Sequence, residues 1–414
     1  MKRTCSSARE PVVRSWCRLL GLAVGAALTA WGPASHAADD TEIRIGNFAP
    51  YSGPASSYSA FAKTQAAYFR MINETGGING RKVRFISYDD AYSPPKAVEQ
   101  ARKLVEDDNV HAIFQGVGTP SNAAIMKYMN VKKVPQILAA TGATKFGDYR
   151  NFPWTMGFSP SVYRVEAGIY ARYILDQHPN GKIALLSAND DYGKDISKGF
   201  KDAMGDRLAG MLVAEATYDT GDPTLDSQLA KLKASGADVF VDLTTPRFSA
   251  LAIRRLAELG WKPVHILNTT GASISTAFKA AGIENAIGIL SAQAIKEPTD
   301  PRWRDDPAVR EFVAFMEKWN PDGDKTSSQN AYGYLAAQVL RRVLEQCGAD
   351  ISRENIMRQA TNLDHLSFGL LFPGITVNTS PTNYFPITQM QLIRFNGVGW
   401  DPVGPIMSQT MTSE

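Results

Sequence analysis

Residues able to do bond-making chemistry are few and badly spaced for it. Beyond residue 37 the chain has four histidines, His111, His178, His265 and His365. None is spaced with another histidine, a cysteine or an acid as a pair of metal ligands would be. No G-x-S-x-G nucleophile turn occurs. Gly116-Val117-Gly118 follows an apolar strand and precedes a helix, as a dinucleotide loop would. However, Ser121 stands where the third glycine belongs, and no acid follows at the required distance. Asp89 and Asp90 read as a carboxylate pair, but they end a strand at a Pro-rich loop, where helix capping and solvation account for them better. Cys347 ends an apolar-periodic helix, the setting of a buried, inert thiol. These residues assign no catalytic group, no metal and no cofactor.

What remains is the chemistry of holding a small anion. Three loops follow strands and combine small residues, hydroxyls and backbone N–H groups. They are Tyr51-Ser52-Gly53-Pro54 with Tyr58 beyond, Gly116 to Ser121, and Ala140-Thr141-Gly142-Ala143-Thr144. Open α/β sheets take ligands outside the carboxyl ends of their strands. Two of these loops run into helices, whose N-termini favour a carboxylate. Each loop alone also reads as an ordinary tight turn, whereas three in one lobe point to a site.

Alternating strands and helices must position these loops. Ile43–Phe48, Val83–Tyr88, His111–Phe114 and Val134–Ala139 read as short buried strands, separated by helices of period 3.6. Gly76-Gly77 stops the first helix. The pattern restarts with strands at Lys182–Ser187, Met211–Ala216, Val239–Leu243 and Val264–Leu267. Such alternation predicts two α/β lobes with parallel sheets, joined by more than one crossing. Pro307–Trp319 and Gln329–Cys347 read as helices, and late strands such as Gln389–Phe395 are expected to finish both sheets.

The N-terminus reads as an export signal. Lys2, Arg3, Arg9, Arg14 and Arg18 precede an apolar stretch, Leu19–Trp31, that is short for a membrane span. Ser35-His36-Ala37 fits a small-x-small cleavage site, with the cut after Ala37. Of the 44 basic and 41 acidic residues, 39 and 40 lie beyond it, so the basic excess belongs to the signal. Nothing in this balance supports a nucleic-acid or membrane-surface partner. Cys5 and Cys17 leave with the signal, so Cys347 has no partner for an internal disulfide.

Four segments carry a resemblance: SGPASSY at Ser52–Tyr58, NETGGINGRKVRFISYDDA at Asn73–Ala91, GAT at Gly142–Thr144 and DDYGKDISKGF at Asp190–Phe200. Over nearly all of the chain beyond the signal, it resembles the periplasmic substrate-binding proteins of branched-chain amino acid ABC transporters. The resemblance implies a two-lobe fold with a hinge: residues 41–157 plus about 289–370 in one lobe, 158–288 plus about 371–414 in the other. It implies a monomeric, non-enzymatic, periplasmic binder that closes over a small ligand and delivers it to a membrane permease. It places the ligand carboxylate against Gly118 and Thr119 and against Gly142, Ala143 and Thr144. Tyr58 and Tyr192 would line and close the pocket.

The chain departs from that pattern at several positions. Thr270 stands where the family often has the glutamate that pairs with an α-ammonium. Gly118 replaces a serine, Thr245 stands where an aromatic is common, and Tyr92 and Val117 occupy a family disulfide. Asp190, Asp191 or Asp242 are candidates to replace the missing charge. A ligand without an α-ammonium, such as an aromatic or short organic acid or an amide, is the alternative to a branched-chain amino acid. A sensor reporting to a receptor and an exported hydrolase are the rival functions.

Overall fold

In the computed structural model, residues 42–160 and 162–408 are described. The expected signal peptide, its cleavage site, Cys5 and Cys17 lie outside them. Two sheets, each flanked by helices, build the molecule.

The first sheet holds β1 (Glu42–Ala49), β2 (Lys82–Asp89), β3 (Ala112–Phe114), β4 (Gln136–Ala139) and β5 (Thr155–Gly157), in the order β2-β1-β3-β4-β5. Every pairing in it is parallel. β1 and β2 run in register from Glu42↔Lys82 to Ala49↔Asp89, so the loops after both strands leave from one edge. Helix α1 (Ser59–Glu74) buries Ala62, Ala67, Tyr68, Phe69 and Ile72, a helical stripe facing the sheet. The turn after it needs Gly77, which has φ +76°, and a Cβ there would lie 2.0 Å from the Arg81 carbonyl. Asn73 at the end of α1 locks to β2: its Nδ2 donates to Val83 O at 2.8 Å, and its Oδ1 accepts from Val83 N at 2.7 Å. α2 (Pro94–Arg102) and α3 (Thr119–Lys132) complete the crossovers.

The second sheet takes β6 (Ile183–Ala188), β7 (Leu212–Tyr218), β8 (Val239–Leu243), β9 (Val264–Leu267), β10 (Leu290–Gln293), β11 (Gln389–Phe395) and β12 (Trp400–Ser408). Their order is β12-β11-β10-β9-β8-β6-β7. β6, IALLSA, is buried along its whole length, as a strand covered on both faces must be. Its helices are α4 (Tyr163–Gln177), α5 (Asp191–Met204), the single turn α6 (Leu208–Met211), α7 (Asp226–Ala234), α8 (Pro246–Glu258) and the short α9 (Lys279–Ala281). The chain then returns to the first lobe with α10 (Pro307–Trp319), α11 (Ser328–Cys347) and α12 (Arg353–Ala360), where α10 and α11 pack against α1.

Two expectations need correction. β11 and β12 both join the second sheet rather than finishing both sheets, and β11 pairs antiparallel with β10. The strand Leu290–Gln293, which a division at 288 assigns to the first lobe, is also part of the second sheet, with Leu290 opposite Ile266. Its four residues are fully buried, and burial on both faces requires covering layers that this sheet supplies. The chain therefore passes between the lobes three times, after β5, after β10 and after α12. Cys347 is buried, and burial pushes its thiol up to about 12. Among the described residues no helix is long and apolar enough to cross a membrane.

Candidate functional site

The loops at the carboxyl ends of strands in both sheets converge on one cavity. Its wall contains Tyr58, Gly118, Thr119, Tyr192, Thr245 and Thr270, six of the nine residues singled out from sequence. It has about 100 Å³ of free space. At roughly 10–15 Å³ per water-sized group, that is room for about seven to ten such groups, the size of a small acid or amino acid.

The first lobe supplies the polar start of α3. Gly118 occupies the N-cap position with φ +96°. The Thr119 hydroxyl lies 2.8 Å from that of Thr141 and 3.3 Å from the Tyr163 hydroxyl, which belongs to the facing lobe. Tyr92, at an expected disulfide position, packs its ring against Gly118, and Val117, at the other, also lines the cavity.

The second lobe supplies Tyr192, Thr245, Thr269 and Thr270. Asp190 caps α5 by accepting from Gly193 N at 3.0 Å, which places Tyr192 in the first turn. The Tyr192 hydroxyl accepts from Asn268 Nδ2 at 2.6 Å. Buried Glu166 fixes the loop after β9: its Oε1 accepts from Thr269 N at 2.6 Å and from the Tyr170 hydroxyl at 2.7 Å. The Tyr170 oxygen in turn accepts from Ala292 N at 3.1 Å.

Six aromatic rings, of Tyr58, Phe61, Tyr92, Tyr163, Tyr192 and Tyr332, line the cavity. Phe61 and Tyr332 meet edge to face at 4.8 Å, Tyr163 and Tyr192 at 5.1 Å, and Tyr58 lies 5.5 Å from Phe61. Burial raises the phenols of Tyr58, Tyr92 and Tyr192 well above their ordinary range and pushes Tyr163 up to about 12, so all are neutral near pH 7. No Asp, Glu, Lys, Arg or His appears among the described residues of the wall. Of the acids considered as replacements for the missing glutamate, Asp191 and Asp242 are outside the wall and pair with other residues. Asp191 pairs with Lys145 at 2.7 Å, and Asp242 lies deep in β8, 3.1 Å from His265 Nε2. Asp190 caps α5 through Oδ1 and is outside the lining, but its buried Oδ2 has no hydrogen-bond partner among the described residues, and its charge helps to raise the phenols of Tyr58 and Tyr92 in the wall. Among the described residues no group of three or more His, Cys, Asp or Glu could hold a metal ion.

Gly142, Ala143 and Thr144, expected against the ligand carboxylate, lie outside the lining. The Gly142 carbonyl accepts from Tyr163 N at 3.0 Å, and Ala143 is fully buried, its N–H donating to Thr141 Oγ1 at 3.2 Å. Thr144 opens a short 3-10 turn that aims it across the cleft. Its N–H lies 3.1 Å and its hydroxyl 3.2 Å from Asp195 Oδ2 on α5. Those groups thus hold the lobes together. Removing the carboxylate in Asp195→Ala is expected to weaken ligand affinity about threefold to thirtyfold by loosening closure, the equivalent of one or two hydrogen bonds. Titration calorimetry together with small-angle scattering of the ligand-bound protein checks this, and an unchanged affinity would exclude a latch.

Sequence reasoning missed Tyr163, Gln293–Ile295, Ser328, Gln329 and Tyr332, all in the wall. Gln293 ends the buried strand β10, and the loops at such ends bind ligands.

Comparison with known proteins agrees with this architecture. A family model described as periplasmic binding protein matches residues 42–398. A Leu/Ile/Val-binding protein homolog 3 from Brucella melitensis is 27% identical over 342 residues, 80% of this chain and 85% of that one. An amino acid binding protein from Pseudomonas aeruginosa is 26% identical over 340 residues, 80% and 84% of the two chains. The crystal structure of a branched-chain amino acid ABC transporter protein from Thermus thermophilus with bound valine superposes with a TM-score of 0.80 at 16% identity. That match covers 89% of this chain and 97% of that one. The chain belongs to the periplasmic binding protein family, a family of solute-binding proteins.

Proposed function

We propose that the protein captures a small carboxylate or amino-acid-like ligand between its lobes and delivers it to the membrane permease of an ABC importer. The observation that carries this reading is the neutral, tyrosine-walled cavity between two lobes, with Thr119 at the start of α3 on one side and Tyr192 on the other. A helix N-terminus with a hydroxyl beside it suits a carboxylate. The facing lobe adds contacts that exist only when the lobes meet, and such contacts let a ligand shift the open–closed equilibrium. In this reading the protein acts as a monomer in the periplasm, and the permease recognises the closed form. Gly118, Thr119, Tyr58, Tyr192, Thr245 and Thr270 contact the ligand, and Thr144 acts through closure.

A thermal-shift screen over leucine, isoleucine, valine, aromatic acids, short organic acids and amides tests it. A ligand at a hundredfold excess over its Kd adds about 2.7 kcal/mol of stability and raises Tm accordingly. Cells lacking the protein should lose uptake of the same compound. A panel that leaves Tm unmoved would refute the reading.

A further inference from the structure

The cavity has a second polar point that the reading above leaves unused. Gln329 stands in the first turn of α11, a 20-residue helix capped by Ser327, whose Oγ accepts from Gln329 N at 3.2 Å. Gln329 belongs to the cavity wall and also borders the neighbouring hollow beside α1, and only 7% of the residue is exposed. Its Nε2 is buried and has no hydrogen-bond partner among the described residues. A buried amide donor without an acceptor is costly, and native proteins rarely tolerate one. The neighbouring Ser328 hydroxyl, also in the wall, donates to Ser273 Oγ at 3.2 Å. The N-terminus of α11 adds a positive partial charge to the same place.

A helix N-terminus and an orphaned buried donor at one point of a ligand cavity both call for the same thing, an oxygen acceptor. Thr119, on α3, has protein hydroxyls within reach, whereas the Gln329 Nε2 has no acceptor among the described residues. From these observations we infer that Gln329 selects ligands which carry, besides their carboxylate, a second hydrogen-bond acceptor, such as a carboxamide, a hydroxyl or a second carboxylate, in place of a purely aliphatic tail. The inference rests on the capture of a small carboxylate proposed above. It assigns to Gln329 the discrimination between polar and apolar tails, because an aliphatic tail leaves the amide unpaired in a dry site while an acceptor satisfies it.

Four probes test it by titration calorimetry on the full protein: leucine and glutamine, and their counterparts without the α-amino group, 4-methylpentanoate and 4-carbamoylbutanoate. The member with the carboxamide tail is expected to bind at least tenfold tighter in each pair. In Gln329→Met, of similar volume, that ratio collapses to within threefold of unity, whereas Gln329→Glu, whose carboxylate can accept from the tail's own NH2, keeps a preference for the carboxamide. Melting curves of both variants establish that they fold. Tighter binding of the aliphatic members, or a ratio that survives Gln329→Met, would overturn the role of Gln329 while leaving ligand capture standing. If none of the four binds, the capture of small carboxylates falls, and this inference falls with it.

Discussion

Gly118→Val is expected to lower ligand affinity by more than a hundredfold and to cost about 2–5 kcal/mol of stability. Gly118 has φ +96°, a conformation a β-branched residue adopts only under strain of roughly 1–2 kcal/mol. A Cβ there would lie 2.4 Å from Tyr92 Cε2 and 3.0 Å from Cζ, inside the cavity wall, and such overpacking costs a further 1–3 kcal/mol or so. The position cannot shift alone. The Gly118 carbonyl accepts from Asn122 N at 3.1 Å and from Asn122 Nδ2 at 2.9 Å, so displacing it turns the start of α3 and carries Thr119 away from Thr141. Gly118→Ala, which keeps the backbone strain and part of the clash, should show a smaller loss in the same direction. Calorimetric titration and thermal melting of both variants are decisive, and wild-type affinity in the valine variant would sink the argument.

The second large effect concerns pH. Glu297 lies on the second passage between the lobes, 1% exposed, and accepts from Trp400 Nε1 at 2.8 Å and from Ile274 N at 2.9 Å. Those bonds favour the carboxylate, but burial outweighs them and lifts the group from 4.5 to about 7. The folded protein therefore holds this proton more tightly than the unfolded chain does. Its contribution is fully present below about pH 4.5, declines as pH rises through about 7, and is flat above. At 1.36 kcal/mol per unit the decline amounts to roughly 3 kcal/mol. Glu297→Gln keeps the shape and removes the charge. The stability difference between variant and wild type, followed by urea unfolding from pH 4.5 to 8.5, should grow in the variant's favour by about that amount. A difference independent of pH would mean that Glu297 titrates as it does in the unfolded chain.

Much of the architecture can be read from sequence because parallel strands covered on both faces appear as short apolar runs. IALLSA in β6 and the EIRIGNFA strand followed by a small-residue loop are of this kind. The Gly76-Gly77 turn is legible for a local reason, a backbone conformation that only glycine supplies cheaply. The site is half legible. Gly118, Thr119 and Thr245 lie at the carboxyl ends of strands that sequence reveals, and the cavity wall includes them. Thr144 misled because the direction of its turn depends on Asp195, 51 residues later and in the other lobe. Tyr163, Gln329 and Tyr332 carry no local mark. Tyr163 opens a helix just after the first crossing, and α11 reaches the cavity only by packing on α1. β10, four residues long, carries too little pattern to announce the sheet it joins.

The packing of α1 on α11 bears on how the chain comes to be made. Residues 59–74 and 328–347 form one helical layer, so the first lobe lacks its outer cover until nearly the whole polypeptide has left the ribosome. Contacts of such long sequence separation form slowly, because the loop between them must close first. Docking of α11 on α1 is therefore expected to be a late step in the folding of the first lobe.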